Sequence, residues 1–172
     1  MRSKQQSLLA VCQCGKTAIE LTGGPIQSVV CHCNSCRTAG HQFEREPGAP
    51  KTVNAEEGVD YCLFRKDRVK IAKGGENLRE HRLKPHSPTR RVVASCCNTP
   101  MFADFTRGHW LSIYRDRLAG QAPEPKVRVM AKDQPQGSPL PDGIPAYGSF
   151  PPLLMVKLLA TWAAMGFRRP TI

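Results

Sequence analysis

The sequence contains few aromatic residues and no long hydrophobic run. Phe, Trp and Tyr make up 6% of the 172 residues. No apolar stretch reaches the roughly 20 residues that a membrane-spanning helix needs, so we expect no membrane span. Residues 1–11 contain too short an apolar part for a secretory signal, and no small-residue cleavage site follows. We therefore expect a cytoplasmic location.

Acidic residues are also scarce. The chain has 14 Asp and Glu residues against 25 Lys and Arg residues, which gives a formal net charge of +11. This balance favours an anionic partner, such as an acidic small molecule, nucleic acid or a membrane surface. The cations are spread along the chain rather than gathered in one run, so no specific nucleic-acid site is expected.

Short apolar and β-branched segments, separated by Gly, Pro and charged residues, predict a mainly β fold. Residues 38–58 are polar and are expected to form a loop, while residues 110–118 fit either a short helix or a strand followed by a turn. We expect strands near residues 7–11, 17–21, 28–30, 59–64, 68–71, 78–83, 91–95, 101–105 and 126–130.

Proline marks off the last part of the chain. Six prolines between residues 133 and 152 exclude regular structure over most of that stretch, and residues 151–165 then predict a helix that is apolar on nearly every side. We expect a zinc-binding β domain at residues 7–130, followed at residues 131–172 by a Pro-rich segment and this helix. The helix is expected to pack on the domain or on a partner subunit, giving a possible homodimer; attachment to a membrane surface is the alternative.

The eight cysteines are not expected to form disulfides, because clustered thiols in a reducing compartment more often bind metal or react. Cys62 lies in an apolar segment and is expected to be a small buried residue. The other seven fall into three groups: Cys12 and Cys14; Cys31, Cys33 and Cys36; Cys96 and Cys97.

These groups divide most simply into two zinc sites, although one shared site is an alternative. A structural zinc usually has all four positions filled by protein ligands, and Cys12, Cys14, Cys96 and Cys97 supply such a set. The remaining three thiols, at Cys31, Cys33 and Cys36, leave one coordination position open, as catalytic zinc sites do. We therefore expect two zinc ions per chain, the second one catalytic.

Two residues of the three-cysteine motif, His32 and Arg37, have basic side chains. His32 is a candidate metal ligand, but since its neighbours already supply thiolates it is expected to lie behind the metal ligands or to face solvent. Arg37 can lower the thiolate pKa values or bind an anionic substrate, but a solvated surface arginine explains it equally well.

The cysteine motifs resemble those of the glutathione-dependent formaldehyde-activating enzyme family, which also includes the centromere protein V domain. The resemblance covers about residues 8–118 and is carried by Cys-x-Cys-Gly, then Cys-His-Cys-x-x-Cys-Arg, then a late cysteine clip before Thr-Pro. It implies an antiparallel β-tent fold with a structural zinc and a substrate-facing zinc. Motif matching places Cys12, Cys14 and Cys97 at the structural zinc, and Cys31, Cys33 and Cys36 at the catalytic zinc.

Two departures from the family pattern indicate a divergent member. The late clip is usually Cys-x-x-Cys-Gly, but here Ala94 replaces its first cysteine, Cys96 adjoins Cys97, and Asn98 replaces the glycine. Adjacent side chains of a regular strand point to opposite faces, so both thiols reach one zinc only if the backbone turns there. Asn tolerates the positive φ that such a turn needs. The second departure is the tail after residue 120, which matches none of the family motifs.

The resemblance implies a carbon–sulfur lyase that makes or breaks the bond in a hydroxymethyl thiol adduct. Its substrate would be a small anionic thiol such as a glutathione adduct, with basic side chains holding the carboxylates. The alternative is a non-catalytic zinc-binding module whose basic surface binds nucleic acid or protein. A thiol sensor built on the cysteine clusters is a third possibility.

Overall fold

The computed structural model describes residues 7–172, and within this range the chain forms ten strands and two α-helices. Residues 1–6, part of the segment considered for an export signal, lie outside the described range. The strands are β1 (Ser7–Val11), β2 (Ala18–Thr22), β3 (Gln27–Cys31), β4 (Val59–Arg65), β5 (Val69–Lys73), β6 (Leu78–His81), β7 (Thr89–Ala94), β8 (Thr99–Phe105), β9 (Trp110–Tyr114) and β10 (Arg128–Val129). The helices are α1 (Asn34–Phe43) and α2 (Pro152–Ala164).

The strands form two sheets. The smaller has the order β1-β2-β5 and the larger has the order β10-β3-β4-β9-β8-β7-β6. Neighbouring strands are antiparallel, apart from the short parallel pair of β10 with β3. The mainly β architecture with a C-terminal helix is therefore as predicted.

A hydrophobic core fills the space between the two sheets. Ile19 and Leu21 project from the small sheet and meet Phe64, Phe102 and Ile113 of the large sheet. Successive side chains of a strand point to opposite faces, and Cys62 and Phe64 of β4 both reach this core. Cys62 is fully buried as expected, and its thiol lies 3.6 Å from the Ser28 hydroxyl.

The opposite face of the large sheet carries a second core, which α2 helps to cover. Tyr61 and Leu63 of β4 belong to this core, together with Leu154 and Leu158 of α2. Lys157 also donates a hydrogen bond of 2.6 Å to the Gln27 side chain. The terminal helix therefore packs on the β-sheet of its own chain, one of the two arrangements predicted for it.

Helix α1 is an element that the sequence did not predict. Residues 38–58 were expected to form a loop, but the chain is helical as far as Phe43. Gly40 lowers the helix propensity of this segment, yet a Cβ there would lie 2.6 Å from a methyl carbon of Val53. Close packing, including the buried Ala39 and Phe43, thus stabilises a helix that local propensity does not favour.

The ambiguous stretch at residues 110–118 forms strand β9 followed by a 3-10 turn at Arg115–Leu118. The Pro-rich segment before α2 has little regular structure, as predicted. Its described elements are a 3-10 turn at Ala131–Asp133 and a single bridge between Ala146 and Arg128.

Candidate metal centres and the adjoining pocket

Four cysteines meet where two turns converge at one end of the sheets. Cys12 and Cys14 lie between β1 and β2, while Cys96 and Cys97 lie between β7 and β8. The Sγ–Sγ distances are 3.7 Å for Cys12–Cys14, 3.8 Å for Cys12–Cys96, 3.4 Å for Cys14–Cys96 and 3.8 Å for Cys96–Cys97. Sulfurs bound to tetrahedral zinc at about 2.3 Å lie about 3.8 Å apart, so the spacing fits that ion.

The unusual Cys96-Cys97 pair enters this cluster because the backbone turns immediately after it. Asn98 has a φ of 51°, in the left-handed region, and the amide of Cys97 donates to the Ala94 carbonyl. The strand pairing of β7 also shifts register between Val92 and Val93. The two adjacent thiols consequently lie on the same side instead of alternating across a strand.

Two threonines support the four-cysteine cluster and were missed from the sequence. The amide of Thr17 donates to the sulfur of Cys12 over 3.2 Å, and the hydroxyl of Thr99 lies 3.0 Å from the sulfur of Cys97. Although burial opposes it, the contacts of Cys97 with Thr99 and Cys14 lower its pKa to about 6. A thiol with this pKa is mostly thiolate at neutral pH, which is the form that binds metal.

The second cluster lies where strand β3 passes into helix α1. Cys31 is the last residue of β3, Cys33 caps α1, and Cys36 occupies the first turn of the helix. Their three sulfur atoms all lie within 4.8 Å of one another. This arrangement provides three ligands, of which Cys33 is partly exposed while Cys31 and Cys36 are buried.

Electrostatics favour negative charge on Cys33. Hydrogen bonds from the thiols of Cys31 and Cys36, and from the Cys36 amide, lower the pKa of Cys33 to about 2. The amide contact, 3.4 Å long, belongs to the N-terminus of α1, whose dipole also stabilises an anion. The chain thus prepares a thiolate at the most accessible of the three ligands.

Arg91 lies directly behind the three-cysteine cluster and was not identified from the sequence. The residue is 1% exposed, and its guanidinium donates to the carbonyl and the hydroxyl of Ser35, each over 2.9 Å. The same nitrogen is 4.0 Å from the sulfur of Cys36. The only sequence signal was an arginine at the start of a β-branched strand. Its buried positive charge can offset the excess negative charge of three thiolates around a divalent ion.

Arg37 and His32 occupy structural positions beside the cluster. The Arg37 guanidinium donates to the carbonyls of His32 and Asp133 and to the Asn34 side chain, over 3.2, 2.9 and 2.7 Å. His32 is fully buried, with Nε2 3.8 Å from a carboxylate oxygen of Glu56. Of the two placements expected for His32, the structure shows the buried one; substrate binding by Arg37 stays a prediction.

A pocket of about 380 Å³ opens beside the three cysteines. The large sheet contributes Tyr61, Leu63 and Trp110 to its wall, and the C-terminal segment contributes Phe150, Met155 and Leu158. Such a volume lies within the range of about 300–1,000 Å³ that is usual for small-molecule sites. The cluster and the pocket together can hold a small ligand next to a metal ion.

The length and hydropathy of the helices also bear on membrane association. Among residues 7–172, no helix is both long enough and apolar enough to cross a lipid bilayer.

Comparison with known proteins gives a family match that covers both cysteine clusters. Residues 7–115 match the family model described as glutathione-dependent formaldehyde-activating enzyme. A comparison with curated proteins gives no match. Among solved structures, the chain is similar to a crystal structure of a Rhodobacter sphaeroides protein, with 16% sequence identity and a TM-score of 0.48. That similarity covers 81% of this chain and 100% of the other.

Proposed function

Because the chain belongs to the glutathione-dependent formaldehyde-activating enzyme family, we propose that it is a zinc-dependent carbon–sulfur lyase acting on an adduct of a small thiol with an aldehyde. The observation that carries the proposal is the open cluster of Cys31, Cys33 and Cys36 at the side of a pocket. A three-ligand cluster beside a ligand-sized space is the arrangement that a catalytic zinc requires.

The reaction would convert a hydroxymethyl thioether into a thiol and an aldehyde, or run in reverse. The carbon–sulfur bond breaks with its electron pair going to sulfur, the hydroxyl proton passes to that sulfur, and the electron pair of the O–H bond forms the second carbon–oxygen bond. Zinc held by the three cysteines would supply Lewis acidity and a binding position for a thiolate or carbonyl. Arg91 balances the charge of the ligands, and the apolar wall excludes water from the reacting atoms.

The other four cysteines would hold a structural zinc, giving two zinc ions per chain. Four sulfur ligands leave no position for a substrate. The ion would join the turn of the small sheet at Cys12 and Cys14 to the turn of the large sheet at Cys96 and Cys97. This assignment accounts for seven of the eight cysteines, with Cys62 left in the hydrophobic core.

Location and assembly are part of the same proposal. The cytoplasm, where thiols stay reduced, suits a protein whose eight cysteines are all unpaired.

Helix α2 carries exposed apolar side chains at Leu153, Val156 and Leu159, and these support a homodimer through that helix. Light scattering of the purified protein tests this, since a monomer at all concentrations contradicts it.

The lyase proposal is tested by exchange between formaldehyde and a thiol in the presence of the zinc-loaded protein. Exchange spectroscopy with ¹³C-formaldehyde measures how fast the hydroxymethyl adduct forms and breaks. We expect the wild-type protein to accelerate exchange, Cys33→Ser to abolish the acceleration, and Cys62→Ala to retain it. Full activity in Cys33→Ser contradicts the catalytic assignment. Zinc binding without acceleration by the wild type favours a non-catalytic binding module.

A further inference from the structure

The pocket beside the three cysteines has an unusually apolar wall for a protein with a net charge of +11. Its polar lining side chains are Ser35, Thr89, Ser112, the Tyr61 phenol and the cysteines themselves. Lys, Arg, Asp, Glu and His are all absent from the wall, as far as the described residues show. No basic side chain of the described residues therefore lines the ligand space.

Three basic residues of the elements around this pocket are engaged elsewhere. Arg91 is turned towards Ser35 and Cys36, behind the cluster. Arg37 is bound to backbone carbonyls, and Lys157 donates to Gln27. A substrate carboxylate placed against the wall would lose its hydration without gaining a charged partner, which is strongly unfavourable.

Much of the apolar character comes from outside the part of the chain that matches the family. The match ends at residue 115, and five of the lining residues follow it. They are Val129, Met130, Phe150, Met155 and Leu158. The C-terminal segment therefore supplies part of the wall from outside the family match.

From these observations we infer that the pocket selects adducts whose thiol carries an apolar carbon chain, in preference to the doubly carboxylated peptide glutathione. The inference rests on the proposed lyase function and names its substrate class. The thiol sulfur would face Cys33 and the open side of the cluster, while the carbon chain would lie between the large sheet and α2. Met155 would contact that chain from the helix and act as a specificity-determining residue.

Isothermal titration of the zinc-loaded full chain with ethanethiol, butanethiol, hexanethiol and glutathione tests the inference. Burying one methylene is worth about 0.8 kcal/mol, so affinity should rise about fourfold per CH₂ and about 200-fold from ethanethiol to hexanethiol. We expect glutathione to bind more weakly than hexanethiol. Equal affinity along the alkyl series, or tighter binding of glutathione, overturns the inference.

Two lysine substitutions on α2 separate the pocket from the rest of the helix. Met155→Lys places a charge at the pocket wall, whereas Ala163 is exposed on the same helix and does not line the pocket. We expect Met155→Lys to weaken hexanethiol binding at least tenfold, because the chain would then lie against a charge. Ala163→Lys should bind as the wild type does. Equal effects of the two substitutions overturn the assignment of Met155.

Adduct exchange measured on the same samples distinguishes the inference from the proposed function. Faster turnover of the glutathione–formaldehyde adduct than of the hexanethiol adduct overturns the inference and leaves the lyase proposal standing. Turnover of neither adduct, together with chain-length-dependent binding, overturns the lyase proposal and supports the apolar selectivity of the pocket.

Discussion

Asn98 allows an irregular cysteine pair to form part of a four-ligand cluster. Its φ of 51° creates the turn that brings Cys96 and Cys97 to the same side. The sequence predicted this possibility, because Asn replaces the family's glycine and tolerates a left-handed backbone better than most residues do. It could not predict that the turn forms, since that also depends on the register shift of β7 against β8.

The contribution of this backbone conformation can be isolated by comparing Asn98→Ala with Asn98→Gly. Both variants lose the side-chain hydrogen bond to the Pro47 carbonyl, but only alanine is strained at positive φ. We expect Asn98→Ala to be less stable than Asn98→Gly by about 1 kcal/mol. Chemical denaturation of the two zinc-loaded variants measures the difference. Equal stability would show that φ at this position costs nothing.

Arg91 is the second residue whose role became visible only in the folded chain. It precedes a β-branched segment, and nothing in its sequence context distinguishes it from a solvated arginine. Burial against Ser35 and Cys36 results from β7 and α1 coming together over 50 residues apart in sequence. Such a tertiary contact cannot be inferred from local pattern.

Replacing Arg91 should weaken the three-cysteine zinc site selectively. We expect Arg91→Met to lower zinc affinity there about 10–100-fold, the usual effect of removing a group that supports metal ligands. Arg91→Lys keeps the charge and should lose less. Competition with a chromophoric chelator measures both sites, and the four-cysteine site serves as the internal control. Equal weakening of both sites would indicate general destabilisation instead.

At the level of elements, the two helices differ in how well the sequence predicted them. Helix α2 was predicted because a long apolar segment follows a run of prolines, and its observed range, Pro152–Ala164, is close to the prediction. Helix α1 was not predicted, because it contains Gly40 and is capped by the thiol of Cys33 instead of an ordinary capping residue. The packing of α2 also depends on His109, which no motif had indicated.

His109 connects the large sheet to α2 and should make their contact sensitive to pH. Its Nε2 lies 3.1 Å from the Thr161 hydroxyl, and its ring stacks on Trp162 at 5.8 Å. Burial is the main cause that lowers the pKa of His109. The hydrogen bond with the Leu158 backbone opposes it, and the positive charges of Lys66, Arg169 and Arg65 add smaller lowering effects.

Folding lowers the pKa of this histidine, so the unfolded state binds a proton more readily than the folded state does. The folded state therefore keeps its full stability above the unfolded pKa of histidine, about 6.5, and loses stability as the pH falls below that value. We therefore expect the wild type to lose more unfolding free energy than His109→Gln between about pH 7.5 and pH 5.5. Both proteins keep the same cysteines, so metal-linked effects cancel in the difference. Parallel pH profiles would contradict a role for His109.

At the scale of the whole molecule, the cysteine count was the most informative part of the sequence. The sequence predicted that seven cysteines divide into one set of four metal ligands and one set of three. The fold brings together the same two sets. The apolar pocket could not be predicted, because its wall combines β3, β4, β8 and β9 with residues 129–158. The sequence suggested the opposite, since a net charge of +11 favoured basic side chains around an anionic substrate.

The proposed lyase function depends on the partition of the cysteines into two zinc sites, and zinc content per chain tests this partition most directly. The measurement is elemental analysis of the wild type, Cys33→Ser, Cys97→Ser and Cys62→Ala after dialysis against a competing chelator. We predict two zinc ions in the wild type and in Cys62→Ala, and one in each of the other variants. One zinc in the wild type, or loss of both ions from either cysteine variant, would contradict the partition.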